Sequence, residues 1–452
     1  MVEVSKNTRY FGTNGIRGIP NRDLTMDFCL QMGKAIGSFH DTGIVAMARD
    51  TRISGNAVFS AVSSGILSTG MNIEDLGILP TPALQYYCKT FSVPGVMITA
   101  SHNPPEFNGI KCIAKDGTEL HWTDEERIEK IYEGGSFKSV DWRNIGTIRS
   151  VNTAVSLYVN GITGHVRADL IRKKKFRVLF DAGSGASFET TPKLLESLGC
   201  SMVTLNCFPD GTFSGRHSEP KEENLHDMQN IMKNGSFDLG IAHDGDADRV
   251  VFFDENGNFI DGDQSFSLIV KSTVKEGDVV VTPVSSSDSM DEICREKGAS
   301  LIRTKVGAPI VSRTMIEKKA KIGGEENGGV IYGEHQFCRD GAMTAALFLN
   351  LLAQGDEKAS DLIKELPKYR IFRISVPISR PWKDISKKFS ETVEGRRIDR
   401  TDGLKIYEDD SWVLVRPSGT EPIVRIFGES SSLDSARSIA VRYREIIENL
   451  LK

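Results

Sequence analysis

The sequence predicts an α/β protein of several domains, closed by a smaller α+β domain. Three observations carry this. The chain has 452 residues, more than a single core accommodates, and at roughly 100–150 residues per domain it should divide into three or four. Short apolar runs recur along it, each stopping abruptly in a polar, glycine-rich loop. Beyond Lys368 that pattern gives way to alternating strand-like runs and one amphipathic terminal helix.

The apolar runs are Ile44–Ala48, Val96–Thr99, Arg177–Phe180, Leu239–Ala242 and Val279–Val281. Runs this short, followed by loops and then helical periodicity, predict buried strands in α/β units. The helical segments include Asn56–Ser68, Glu189–Leu198, Leu225–Lys233, Ser289–Lys297 and the apolar Ala342–Ala353. In the last part, Ile371–Pro377, Trp412–Val415 and Val424–Phe427 predict strands, and Asp434–Leu451 predicts the terminal helix. Polar or turn-forming stretches near Ser150, Glu255 and Lys368 divide the chain into 1–150, 151–255, 256–368 and 369–452. In open α/β sheets, ligands bind outside the carboxyl ends of the strands.

Composition narrows the function. Lys plus Arg is 56 and Asp plus Glu is 61, giving a formal charge of −5. Such a chain has no general attraction for nucleic acid or an anionic membrane. No run approaches the ~20 apolar residues of a membrane span. The seven cysteines form no CxxC pair and no even framework, which predicts buried thiols in a reducing cytoplasm.

Five motifs carry chemistry. Thr99-Ala100-Ser101-His102-Asn103-Pro104 ends a predicted strand and either presents Ser101 as a nucleophile or forms an ordinary capped turn. Lys111, ten residues on, is an acid/base or phosphate partner. Asp244-Gly245-Asp246-Ala247-Asp248-Arg249 places three carboxylates where they repel one another unless a cation or a proton intervenes. Oxygen-only ligands point to magnesium rather than zinc. An EF-hand is excluded, because Arg249 stands where that loop needs glycine. Gly323–Gly329, with Glu325 and Asn327, offers hydrogen bonds to sugar hydroxyls or is a flexible turn. Arg416-Pro417-Ser418-Gly419-Thr420 offers a guanidinium, two hydroxyls and backbone amides to a phosphate dianion. Phe11–Gly18 carries Arg17 as a second anion contact, without the GK[ST] of a Walker loop.

In this order, and over nearly the whole chain, the five segments resemble the α-D-phosphohexomutase family. That resemblance implies four domains around a central cleft, three of them similar mixed α/β domains and the last a smaller α+β domain. It implies Ser101 as phosphoserine, and Asp244, Asp246 and Asp248 with a phosphoserine oxygen as the ligands of one Mg2+ per chain. Arg249, Lys111 and Arg17 would surround the reacting phosphoryl group, with Lys111 as acid/base and His102 as the other candidate. Glu325, Asn327 and Lys305 would meet the sugar, and Arg416, Ser418, Gly419 and Thr420 the non-reacting phosphate. The implied reaction interconverts hexose 6-phosphate and hexose 1-phosphate, with hexose 1,6-bisphosphate as activator. The GEENGG segment resembles archaeal phosphoglucosamine mutases and broad phosphogluco/phosphomannomutases. Gly329 and Asn327 stand where many members have histidine and serine, and Ala308 where glucose and mannose enzymes often have histidine. The expected substrate is glucosamine phosphate, the alternative a general hexose phosphate. A magnesium-dependent sugar phosphatase and a non-catalytic sugar-phosphate sensor are the remote readings. The expected state is a monomer or homodimer in the cytoplasm, without nucleic-acid or membrane partners.

Overall fold

A computed structural model of the chain describes residues 10–12, 14–40, 43–418 and 423–451. It divides into two compact units, Met1–Ser265 with Asn327–Leu362, and Phe266–Glu326 with Ile363–Lys452.

The first unit holds two mixed sheets. One runs Ile16–Gly18, Asn108–Ile113, Gly95–Ile98, Ile44–Arg49, Asn72–Ile78, Ile148–Ser150 from edge to edge. Its first three strands pair antiparallel and the rest parallel. Val45, Met47 and Val96 pack against Val58 and Ile66 of the helix Gly55–Leu67, all fully buried. The other sheet runs Phe259–Ile260, Val250–Phe253, Leu239–His243, Arg177–Asp181, Ser201–Leu205. There Leu179, Ala242 and Phe253 pack against Met228 and Met232 of the helix His226–Asn234.

The predicted strands are found, with ends shifted by up to three residues. Asn108–Ile113 is a strand that the apolar-run pattern does not show. Lys111 interrupts its apolar sequence, yet all six positions are buried. This strand pairs Lys111 with Met97, so a charged side chain stands beside the strand that leads to Ser101. The antiparallel partner of Leu239–His243 is Val250–Phe253. Asp244–Arg249 is therefore the turn of a hairpin, not the start of a crossover helix.

The second unit holds a parallel ladder, Ser300–Thr304, Val279–Pro283, Ile322–Gly324, and an antiparallel five-stranded sheet. The latter runs Arg370–Pro377, Ile423–Ser430, Ser411–Pro417, Leu404–Glu408, Arg397–Asp399. Side chains alternate along its strands. Val413 and Val415 join Phe389 and Tyr443 in the core under the helices Trp382–Thr392 and Leu433–Leu451, while Trp412 and Leu414 join Val284 and Phe427 on the opposite face. No helix among the described residues is long and apolar enough to cross a membrane, and none of the seven cysteines is in a disulfide.

Candidate active site

Ser101 lies just beyond the carboxyl end of Gly95–Ile98 and is 1% exposed. Its φ is +52°, a left-handed conformation that costs a serine energy and is kept only where surroundings impose it. Those surroundings are specific. The amide of Ser101 donates to Thr99 Oγ1 at 2.8 Å, and Ser218 Oγ donates to the Ser101 carbonyl at 3.2 Å. Arg52 is fully buried and uses all five of its N–H donors: one on Asp50, and the others on the carbonyls of Pro104, Phe107, Ser101 and Asn103. Four loop carbonyls are thereby tied to one rigid guanidinium. The Ser101 hydroxyl donates to Asp244 Oδ2 at 3.0 Å.

Asp244, Asp246 and Asp248 are buried, and one oxygen from each lies within 4.8 Å of the others. Ala247, at φ +58°, turns the backbone between them. Asp246 Oδ2 accepts from Lys111 Nζ at 2.7 Å and from Thr81 Oγ1 at 2.6 Å. Burial would raise the Asp246 carboxyl, but the Lys111 ammonium and these two bonds outweigh it and hold the group below the usual carboxylate range. Asp244 goes the other way. Burial first, then the charges of Asp246 and Asp248, push it well above that range. Asp246 Oδ1 and Asp248 Oδ1 are buried without a hydrogen-bond partner. An unpartnered buried acceptor costs about 1–3 kcal/mol, which a cation removes at both atoms. The donors are all hard oxygens, so the residues fit Mg2+.

Around this centre, Arg249 pairs with Glu219 at 3.2 Å and Arg17 donates to Asn103 Oδ1 at 2.5 Å. His102 Nδ1 is 3.4 Å from Ser101 Oγ. Burial, then the charges of Arg249 and Arg17, hold the imidazole pKa far below its usual value, so it is neutral. Asn327 Oδ1 accepts from Arg339 Nη1 at 3.2 Å, and Arg339 Nη2 donates to Asp248 Oδ2 at 2.6 Å. Gly329, at φ +85°, lies so close that a Cβ would stand 2.0 Å from the Asp248 carbonyl oxygen. Neither its backbone nor its space admits a larger side chain.

In the second unit, Glu325 Oε1 accepts from Gly307 N at 2.9 Å, and Asp402 Oδ2 accepts from Val306 N at 3.0 Å and Arg416 Nε at 2.9 Å. Lys305 is exposed and Arg416 and Ser418 are half-buried. Gly419 and Thr420 lie outside the described residues. Arg52, Thr81, Arg339 and Asp402 were not singled out by motif. Their signals are faint: Asp50-Thr51-Arg52 after a strand, Thr81-Pro82 opening the helix Thr81–Phe91, Arg339-Asp340-Gly341 opening Gly341–Leu352, and Asp402-Gly403 before a strand.

Four family models match in chain order. They describe phosphoglucomutase/phosphomannomutase α/β/α domains I, II and III, at residues 8–139, 156–257 and 261–369, and its C-terminal domain, at 374–446. A phosphoglucomutase/phosphomannomutase of Thermococcus kodakarensis is 43% identical over 98% of this chain and 99% of its own. A phosphoglucosamine/phosphogalactosamine mutase of Sulfurisphaera tokodaii is 38% identical over 97% of this chain and 99% of its own. The crystal structure of a family protein from Burkholderia thailandensis superimposes with a TM-score of 0.86 at 26% identity, covering 98% of this chain and 97% of that one. The chain belongs to the phosphoglucomutase/phosphomannomutase family, phosphotransferase-type isomerases of four-domain α/β architecture.

Proposed function

We propose that the chain interconverts hexose 6-phosphate and hexose 1-phosphate through a phosphoserine at Ser101 and a hexose 1,6-bisphosphate, with glucosamine phosphate the preferred sugar. The observation that carries this is Ser101 Oγ 3.0 Å from Asp244, in a triad whose Asp246 also holds Lys111 at 2.7 Å. Nucleophile, carboxylates and ammonium are thus gathered where a phosphoryl group would be carried.

Asp244, Asp246 and Asp248, with an oxygen of phosphorylated Ser101, would hold one Mg2+, which supplies charge neutralisation at the phosphoryl group when bound. The chain's own residues supply the rest. The Arg52 network holds Ser101 in place, so little reorganisation remains at the moment of transfer. Arg17 and Arg249 stabilise charge on the phosphoryl oxygens. The Lys111 ammonium gives its proton to the departing Ser101 oxygen as the bond from phosphorus to Oγ breaks, and takes in its place the proton of the attacking sugar hydroxyl. The exchange runs the other way, proton from Ser101 and proton to the sugar oxygen, when the other phosphate of the turned bisphosphate re-phosphorylates Ser101. Neutral His102 stays a hydrogen-bond partner of the loop. Glu325, Asn327 and Lys305 contact the sugar, and Arg416, Ser418, Gly419 and Thr420 take the distal phosphate.

A second reading, broad phosphoglucomutase/phosphomannomutase activity, is favoured by the name of the Thermococcus relative at 43% identity. The test is phosphorus NMR with Mg2+ and a trace of hexose bisphosphate, comparing glucosamine, glucose and mannose 1-phosphates. The glucosamine compound should react at least about tenfold faster, a difference of ~1.4 kcal/mol in barrier. Comparable rates for glucose and mannose would install the second reading, and no interconversion of any of them would overturn both.

A further inference from the structure

The geometry points to Arg339 as a specificity-determining positioning residue: by holding the Asn327 amide oxygen, it presents the Asn327 Nδ2 as a hydrogen-bond donor to a hexose hydroxyl. The inference rests on the mutase reading and goes beyond it by assigning one hydrogen bond and its direction.

The argument begins with donor and acceptor inventory. A guanidinium has donors only, so the atom of Asn327 that faces Arg339 Nη1 at 3.2 Å is the amide oxygen. The amide is planar and its two ends are fixed relative to each other, so Nδ2 is turned away from Arg339. Among the described residues Nδ2 meets no protein acceptor, and the side chain is only half-buried. Arg339 is in turn immobilised. It is 7% exposed, and its Nη2 is bonded to Asp248 Oδ2 at 2.6 Å. The residue that follows it, Asp340, caps the helix Gly341–Leu352 by accepting from Met343 N at 2.9 Å, and accepts from Gln336 Nε2 at 2.8 Å. The backbone that carries Asn327 is pinned as well. Gly328 and Gly329 have φ of +81° and +85° and lie against the carbonyls of Val250 and Asp248, with no room for a Cβ at either.

Arg339 therefore links the metal-loop carboxylate Asp248 to the sugar-loop amide of Asn327, and it sets the polarity of that amide. A donor at this position accepts a hydroxyl oxygen as partner and disfavours a protonated amine, which offers donors only. The amino group of a glucosamine phosphate should consequently lie elsewhere on the ring from the position that Nδ2 meets.

The test is a double-mutant cycle read as dissociation constants for glucosamine 6-phosphate and glucose 6-phosphate, measured by calorimetry in the Ser101→Ala chain so that turnover does not enter. Arg339→Met and Asn327→Ala should each weaken binding about tenfold, the factor expected for one well-oriented hydrogen bond. Combined, they should weaken it no more than Asn327→Ala does alone, because Arg339 acts on the sugar through Asn327. Arg339→Lys, which keeps a donor, should recover part of the loss. Asn327→Asp leaves an acceptor facing Arg339 and removes the donor, so it should match Asn327→Ala. Circular dichroism identifies any variant that fails to fold, and Asn327→Asp, at a half-buried site, stands in for Arg339→Met in that case. Multiplicative losses in the double variant, or unchanged binding in folded Asn327→Asp, would overturn the inference. Absence of mutase turnover in the chain with Ser101 intact would instead count against the mutase reading.

Discussion

The loop that carries Ser101 and the loop that carries Lys305 are held in opposite ways. Around Ser101, a fully buried arginine spends four donors on loop carbonyls, two hydroxyls hold the serine's own amide and carbonyl, and the backbone is kept at a positive φ. Around Lys305, the next two amides each meet one carboxylate, Asp402 and Glu325, and the lysine side chain is exposed. On the proposed function, the difference follows from what each loop would do. A group that makes and breaks a bond gains rate from fixed placement. A loop that must meet a sugar in two orientations gains from fewer constraints and a smaller cost of rearrangement.

The largest break in this comparison is at the rigid end. Ser101→Ala should lower turnover by about three orders of magnitude or more, since the carrier itself is gone, and should abolish stable phosphorylation in a mass measurement. Full activity would remove Ser101 from the chemistry. Next comes Arg52→Met, which frees the carbonyls of the serine loop without touching a reacting atom. A displacement of about 1 Å there should cost about 100-fold in kcat with KM little changed. A pure KM effect would mean that the loop is shaped for binding.

At the open end, Asp402→Asn keeps an acceptor for Val306 N but loses its charge pairing with Arg416. KM for the hexose phosphate should rise about tenfold while kcat stays within about threefold, the loss of one charge-assisted hydrogen bond. Equal losses in both parameters would place Asp402 with the rigid half.

A further effect concerns stability rather than turnover. Glu429 accepts from the Asp288 amide at 3.0 Å and the Trp412 indole at 2.7 Å, tying the parallel ladder of the second unit to its antiparallel sheet. Burial, then the charge of Asp288, raise its carboxyl from 4.5 to about 7. Between those pH values the folded chain holds a proton that the unfolded chain releases. Stability from this group is therefore complete below about 4.5 and lost as pH rises through about 7, by at most about 3 kcal/mol. Thermal unfolding at pH 5 and pH 8 should show this slope, and Glu429→Gln should flatten it.

Much of this was legible in the sequence because strand ends and polar loops announce themselves. Ser101 and the three aspartates stand in loops after apolar runs, and the structure brings them together with Lys111. Asn108–Ile113 escaped because a buried lysine breaks its apolar pattern, and only the ion pair with Asp246 explains why that charge is tolerated. Arg52 and Arg339 escaped for a different reason. An arginine that reaches carbonyls or an amide far along the chain leaves no local periodicity, and in sequence it resembles any surface arginine. The meaning of Gly329 likewise depends on contact with the Asp248 carbonyl, 81 positions away by number.

The most direct test of the central claim is to incubate the purified chain with Mg2+ and glucose 1,6-bisphosphate, locate any phosphate by peptide mapping, and then add glucosamine 6-phosphate. The account expects a single phosphoryl group on Ser101 that is lost to the sugar on addition. A phosphate on another residue, or a phosphoserine that the sugar does not discharge, would contradict it.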